Sequence, residues 1–369
     1  MVGPVHLVSV SLGVAFALGF MGRREKLALS LVYLALGAMT LISGSWLLHF
    51  INGTVAGPVQ VFTGGFRPPF SINLQMGYGE AVFTFLINAA GLLGALYLHE
   101  ELKRAGKNMM IILLVLFMGL NVMVMTRDLF NLFVFMEIQS IAIAGLIIIS
   151  PDRKSIPSGF KYVIATGLIS GFLLLGTVFA YYFSGVLNID LIIEANLTLV
   201  KGGATALFLI ILAVLLELKP FPANGWALDV YEGAHPGVGA LISAASATAG
   251  LFVLDKVLPL GGEAYYTAMV IAGTVTFLGS NLLGLKQTNP QRLLGYSSVG
   301  QVGLIAGIIG LTPVIGETAR VIAFGILLTH FLAKAGLFWI AGIINADSLK
   351  GWAVIRRKPW LLVLMGLSL

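Results

Sequence analysis

The sequence predicts an all-α fold, a polytopic membrane helix bundle with about 11–12 transmembrane helices. Three observations carry that prediction. Hydrophobic residues fill 58% of the 369 positions and charged residues only 10%, where soluble domains carry roughly a quarter charged residues. Apolar runs long enough to cross a bilayer recur along the whole chain. Many of the 45 glycines fall inside those runs, which suits close helix approach in lipid.

The runs lie near 4–22, 27–49, 79–98, 108–126, 129–149, 158–184, 203–231, 236–258, 264–285, 293–312 and 317–344, and a twelfth begins at Pro359. The first lacks a basic lead-in and an Ala-x-Ala site, so it is expected as a retained helix rather than a cleaved signal. Residues 50–78 are rich in Gly, Pro and β-formers (Val59-Gln60-Val61-Phe62, Ser71-Ile72-Asn73-Leu74) and read as an external β-hairpin, with an irregular loop as the alternative. Asp128 is expected to N-cap the fifth run. Pro220 and Pro222 interrupt the seventh, predicting two half-helices joined near Lys219. Asn289 or Thr288 is expected to cap the tenth.

Fifteen Lys and Arg fall in the loops after the odd-numbered runs, Arg23 and Arg153 among them, and five in the other loops. The positive-inside rule then puts the N-terminus outside a cell membrane crossed many times. The net charge of +6 is explained by this loop bias rather than by nucleic-acid binding. Cysteine is absent, which excludes disulfides, thiolate metal sites and iron–sulfur ligation by this chain. No phosphate loop, catalytic triad or metal-ligand spacing is visible. No cofactor is expected on this chain, and its energy must come from a gradient or from partner subunits.

Charges inside apolar runs need a reason, because an ammonium at bilayer depth costs about 3 kcal/mol on insertion scales. Lys219 sits where the prolines open the backbone. Glu137 lies mid-run; it is read as a titrating partner of Lys219, or as a carboxylate that only staples two helices. His330 and Lys334 are four residues apart and share a helix face; a metal site is not expected there, while a proton-wire role or a hydrogen-bonded core histidine both fit. Glu217, two residues from Lys219, diverges from it on a regular helix, though the break could reunite them. Asp229, Glu232 and His235 read as a solvated turn or an ion entrance. Tyr296, Ser297, Ser298 and Gln301 give the tenth run polar groups suited to water-mediated bonds or to helix packing.

Four stretches, in order, resemble antiporter-like subunits of the Mrp antiporter and respiratory complex I superfamily. They are Arg127-Asp128-Leu129-Phe130-Asn131-Leu132-Phe133-Val134-Phe135-Met136-Glu137-Ile138, Lys219-Pro220-Phe221-Pro222 through Trp226 to Ala234-His235-Pro236, Arg292-Leu293-Leu294-Gly295-Tyr296-Ser297-Ser298-Val299-Gly300-Gln301-Val302-Gly303, and His330-Phe331-Leu332-Ala333-Lys334-Ala335-Gly336-Leu337-Phe338. That superfamily includes the D component of Mrp-type Na+/H+ antiporters, the L, M and N components of NADH:quinone oxidoreductase, and matching subunits of archaeal membrane-bound hydrogenase and sulfane reductase. The resemblance implies inverted five-helix repeats with broken seventh and twelfth helices, and ion movement along a hydrated midplane through Glu137, Lys219, His330 and Lys334. The implied organisation is 1–107 with three helices and the hairpin 50–78, 108–258 as the first repeat, and 264–369 as a truncated second repeat. Thr248 stands where the family usually has Lys or His. Lys256 is a displaced substitute or, the favoured reading, an outer-surface residue. The aspartate common before the third helix is not evident, though Glu80 is near.

The expected function is proton or sodium translocation as one subunit of a respiratory or Mrp-type complex, an ion-pumping part of an oxidoreductase with no redox site of its own. The expected partners are other membrane subunits, iron–sulfur or hydrogenase-like chains among them, with lipid and H+ or Na+. A non-conducting scaffold subunit is the alternative, and a free-standing solute transporter a third.

Overall fold

The structure, a computed structural model, describes residues 2–22, 24–149 and 154–368, so Arg23 and Arg153 of the orientation count lie outside the described residues. In chain order the helices are α1 (His6–Phe20), α2 (Glu25–Ile51), α3 (Tyr78–Tyr97), α4 (His99–Ala105), α5 (Lys107–Met125), α6 (Leu129–Ile149), α7 (Ser155–Ser184), α8 (Ile189–Ala195) and α9 (Gly203–Glu217). There follow α10 (Gly225–Gly233), α11 (Pro236–Leu241), α12 (Ala247–Val257), α13 (Glu263–Gly284), α14 (Pro290–Gly310), α15 (Thr312–Ile315), α16 (Glu317–Ile344) and α17 (Pro359–Ser368). Among the described residues nine helical segments are long and apolar enough to cross a membrane, and α1 and α9 are shorter apolar helices. This is the polytopic membrane helix bundle that the apolar runs predict, and each run is met by a helix within a few residues.

The chain divides into two compact units, Met1–Ile149 with Ser170–Ile210 and Ser150–Ile169 with Ile211–Leu369. In the first, α1, α2, α3 and α5 pack on one another, and α5 on α6. Lipid gives apolar faces no preference for each other, so polar contacts specify this packing. Asn88 and Asn121, both fully buried, exchange side-chain amide bonds at 3.0 and 2.7 Å, and Asn88 also donates to Ser43. Such interhelical bonds are worth about 0.6–2 kcal/mol each.

The hairpin forms with strands β1 (Val59–Phe62) and β2 (Asn73–Met76), antiparallel, Val59 opposite Met76. The second strand starts two residues later than predicted. Its register is fixed by a main-chain ladder: the Arg127 amide donates to Asn73 at 2.9 Å, Ile189 to Arg127 at 2.8 Å and Leu129 to Leu187 at 2.9 Å. Arg127 also pairs with Asp190. Asp128 caps α6 as expected, its Oδ1 accepting from the Asn131 amide at 2.8 Å.

In the second unit α13 and α14 approach most closely. Gly273 lets them meet: a Cβ there would lie 2.5 Å from the Gly303 carbonyl oxygen and 2.6 Å from the Gly307 amide nitrogen. Asn289, rather than Thr288, caps α14, accepting from the Arg292 amide at 2.9 Å. The helical segment that meets the eighth run, Pro236–Gly261, is interrupted by a π turn at Ile242–Ser246, which nothing in the sequence announces.

Candidate functional site

The broken helix builds the first half of the site. α9 ends at Glu217 and α10 starts at Gly225, as the prolines predict. Lys219 takes a left-handed backbone, φ +61, at a cost of about 1–2 kcal/mol for an L-residue. Side chains from α13 satisfy the opened segment: the Phe221 amide donates to Thr276 Oγ1 at 3.1 Å and the Asn224 side chain to Ser280 Oγ at 3.2 Å. Irregular backbone at membrane depth persists only with such partners. Lys219 is 5% exposed. Its ammonium turns back to donate to the Glu217 carbonyl at 2.9 Å and lies 5.9 Å from the Trp226 ring centre. The break therefore brings Lys219 onto the main chain of Glu217, and both residues border one small cavity.

That cavity, about 10 Å³, is lined by Glu217, Lys219, Tyr231, Ser246 and Ser298 among others, which is room for about one water. Beyond it the polar groups continue as direct hydrogen bonds. Tyr231 hydrogen-bonds with Ser298 and Ser243, whose hydroxyls are 2.7 Å apart. The Ser243 carbonyl accepts from His330 Nε2 at 3.1 Å, and His330 Nδ1 meets Gln301 Oε1 at 2.7 Å. Lys334, one turn along α16 and 3% exposed, donates to Ser297 Oγ at 2.7 Å. Ser297, Gln301 and Lys334 share a cavity of about 330 Å³. Buried polar groups thus line a route from the broken helix to α16: the Tyr231, Ser298 and Ser243 hydroxyls, the His330–Gln301 pair anchored by the Ser243 main-chain carbonyl, and the Lys334–Ser297 pair.

Of the predicted residues, Lys219, Glu217, His330 and Lys334 lie along this route. Ser297, Ser298 and Gln301 bond directly to Lys334, Ser243 and His330. Glu137 stands on α6 in the first unit, half-buried, with Oε2 buried and unpartnered among the described residues. Thr248 is fully buried and its hydroxyl has no partner among the described residues; the route runs through Ser243 and Ser298 instead. Lys256 is not on the outer surface: it is 6% exposed and its ammonium lies 5.4 Å from the Phe252 ring centre. Tyr231 and Ser243 escaped the sequence reading, since no local pattern marks a tyrosine in a half-helix or a carbonyl released by a π turn.

Asp229 and Glu232 form an ion-paired cluster rather than a free solvated turn. Arg292 bridges both, at 2.7 and 3.0 Å, while Lys161 pairs with Asp229 and Lys154 with Glu232. His235 caps α11, Nδ1 accepting from the Gly237 amide at 3.2 Å. Burial pushes the Glu232 carboxyl up, but hydrogen bonds and charge from Lys154 and Arg292 outweigh it and hold the group below the usual carboxylate range. A depressed carboxylate stabilises fully above its unfolded value, near 4.3, and stops doing so as pH falls through the lower folded value. Thermal melts of wild type and Glu232→Gln are therefore expected to differ at neutral pH and to converge in acid.

A family model described as NADH:quinone oxidoreductase/Mrp antiporter, TM, matches residues 126–361. NADH-quinone oxidoreductase subunit N of Desulforudis audaxviator is 31% identical over 357 residues, 92% of this chain and 67% of its own. Subunit N of Heliobacterium modesticaldum is 33% identical over 264 residues, covering 68% of this chain, and the match spans only 55% of that relative's length. Among solved structures, a chain of the membrane-bound sulfane sulfur reductase, an archaeal respiratory membrane complex, superposes with a TM-score of 0.85 at 29% identity, covering 94% of this chain and 73% of that one.

Proposed function

We propose, for a chain that belongs to the NADH:quinone oxidoreductase/Mrp antiporter transmembrane family, that it moves protons through the membrane as one subunit of a larger complex. The observation that carries this reading is the line of buried polar groups set between the two buried amines, namely Tyr231, Ser243, Ser298, His330 and Gln301. Amines and imidazole take up and release protons and hydroxyls pass them along hydrogen bonds, while the Ser243 carbonyl, which only accepts, orients the imidazole without carrying the proton. The water-sized space beside Lys219 has no room for a hydrated sodium ion, which favours H+ over Na+. Glu137, an acid of the first unit with one buried oxygen unpartnered among the described residues, is assigned to proton transfer by the same reading.

The relatives are subunits of NADH-quinone oxidoreductase, and the similar archaeal chain belongs to a respiratory membrane complex. By analogy, this chain works beside other membrane subunits, with iron–sulfur or hydrogenase-like partners releasing the energy, in a cell membrane with its N-terminus outside. The organisation into a first repeat at 108–258 and a second over 264–369 belongs to the same reading.

The test is proton flux into vesicles carrying the co-purified complex, followed with an internal pH dye. Glu137→Gln and Lys334→Ala are each expected to reduce flux to the leak of empty vesicles with assembly intact. Wild-type flux in both variants would end the proposal. Thr248 favours a second reading, a scaffold subunit that does not conduct, because its hydroxyl is orphaned where a titratable side chain is usual in the family. That reading gives an assembled wild-type complex with no flux attributable to this chain.

A further inference from the structure

The π turn and Gln301 do more than fill space around His330. In an unbroken α-helix the Ala247 amide would bond the Ser243 carbonyl. Here it bonds Ile242 and Ala244 instead, passing over Ser243. That carbonyl faces His330 Nε2 at 3.1 Å. A carbonyl only accepts, so Nε2 must carry a hydrogen in every state that keeps this bond. Proton exchange is then confined to Nδ1, whose neighbour at 2.7 Å is the Gln301 side chain.

A carboxamide has two faces. Its oxygen accepts from Nδ1–H of a charged imidazole, and its NH2 group donates to the bare Nδ1 of a neutral one. Gln301 can satisfy both charge states of a histidine that is 1% exposed, provided the amide turns over between them.

We propose that Gln301 is a positioning residue that matches its amide face to the charge of His330, while the π turn at Ser243 fixes the tautomer. This rests on the proton-relay reading for its purpose but not for its test. Lys334 is the charged neighbour on α16 itself. Among elements packed on α16, α11, α17 and the π turn carry no ionisable side chain, and α14 carries Tyr296 and the paired Arg292. The short helical stretch Leu349–Arg357 carries Lys350, Arg356 and Arg357, all exposed. Tyr231 of α10 faces the Ser243 hydroxyl.

The test is nitrogen-15 NMR of the full chain in lipid, with His330 assigned among the five histidines by signal loss in His330→Gln. Wild type is expected to show neutral His330 protonated at Nε2. Gln301→Glu fixes a carboxylate on Nδ1 and is expected to raise the His330 titration midpoint by about 1–3 pH units, as opposite charges do at this range. Gln301→Leu removes both amide faces and, because the bond to the charged ring is the stronger of the two, is expected to lower it. An Nδ1-protonated neutral ring in wild type overturns the proposal without any variant having to fold. Midpoints equal to wild type in both Gln301 variants overturn it too. Absence of proton flux together with the expected tautomer and shifts would reject the relay and leave this inference standing.

Discussion

Lys219→Ala is expected to abolish proton flux while leaving the helices assembled. The side chain is 5% exposed and its ammonium holds one main-chain carbonyl, that of Glu217. Removing it relieves the desolvation of a buried charge, so the melting temperature should hold or rise. Flux should fall by about 100-fold or more, the lower range of what a positioned proton-transfer group contributes. Lys219→Arg sharpens the test. A guanidinium stays charged at any working pH, so an arginine that restores the charge should not restore flux. If the Lys219→Arg variant conducts, the amine acts as a fixed charge and the relay does not begin there.

The second large effect is on stability. Gly273→Ala is expected to force α13 and α14 apart. The new methyl would sit 2.5 Å from the Gly303 oxygen, 2.6 Å from the Gly307 nitrogen and 2.7 Å from its Cα, all main-chain atoms that no rotamer change can move. Overpacking typically costs about 1–3 kcal/mol, and this contact belongs at the upper end. Gly325→Ala is the control: it lies on α16 with nothing within 4 Å of the added Cβ, and alanine favours a helix by up to about 1 kcal/mol. Thermal melts in detergent should show the first variant falling and the second unchanged or higher. Equal melts would mean that the close approach does not hold these helices.

Much of this was legible because lipid makes the code blunt. Helices that must bond their own backbones read as apolar runs, and those runs anticipated the long helices to within a few residues. Pro220 and Pro222 announced the break because proline lacks the donor a helix needs. Asp128 and Asn289 were readable as caps for the same local reason. The π turn was not readable: Ile242-Ser243-Ala244-Ala245-Ser246 is a sequence any helix tolerates, and only α16 packed against it makes its freed carbonyl useful. Lys256 was misplaced because eight residues of spacing cannot tell a lipid-facing from an inward side of an irregular helix. Tyr231 needed two serines brought from α14 and the π turn, contacts between segments distant in sequence that no local pattern encodes.

The ladder at the hairpin has a different bearing, on how this protein can change over generations. Four stretches, at 59–62, 73–76, 126–128 and 187–189, are stitched through amide and carbonyl groups that every residue but proline possesses. Drift in side-chain identity there should be broadly permitted. Gain or loss of a single residue should not, because it would displace the rungs and, through Asp128, the depth at which α6 holds Glu137.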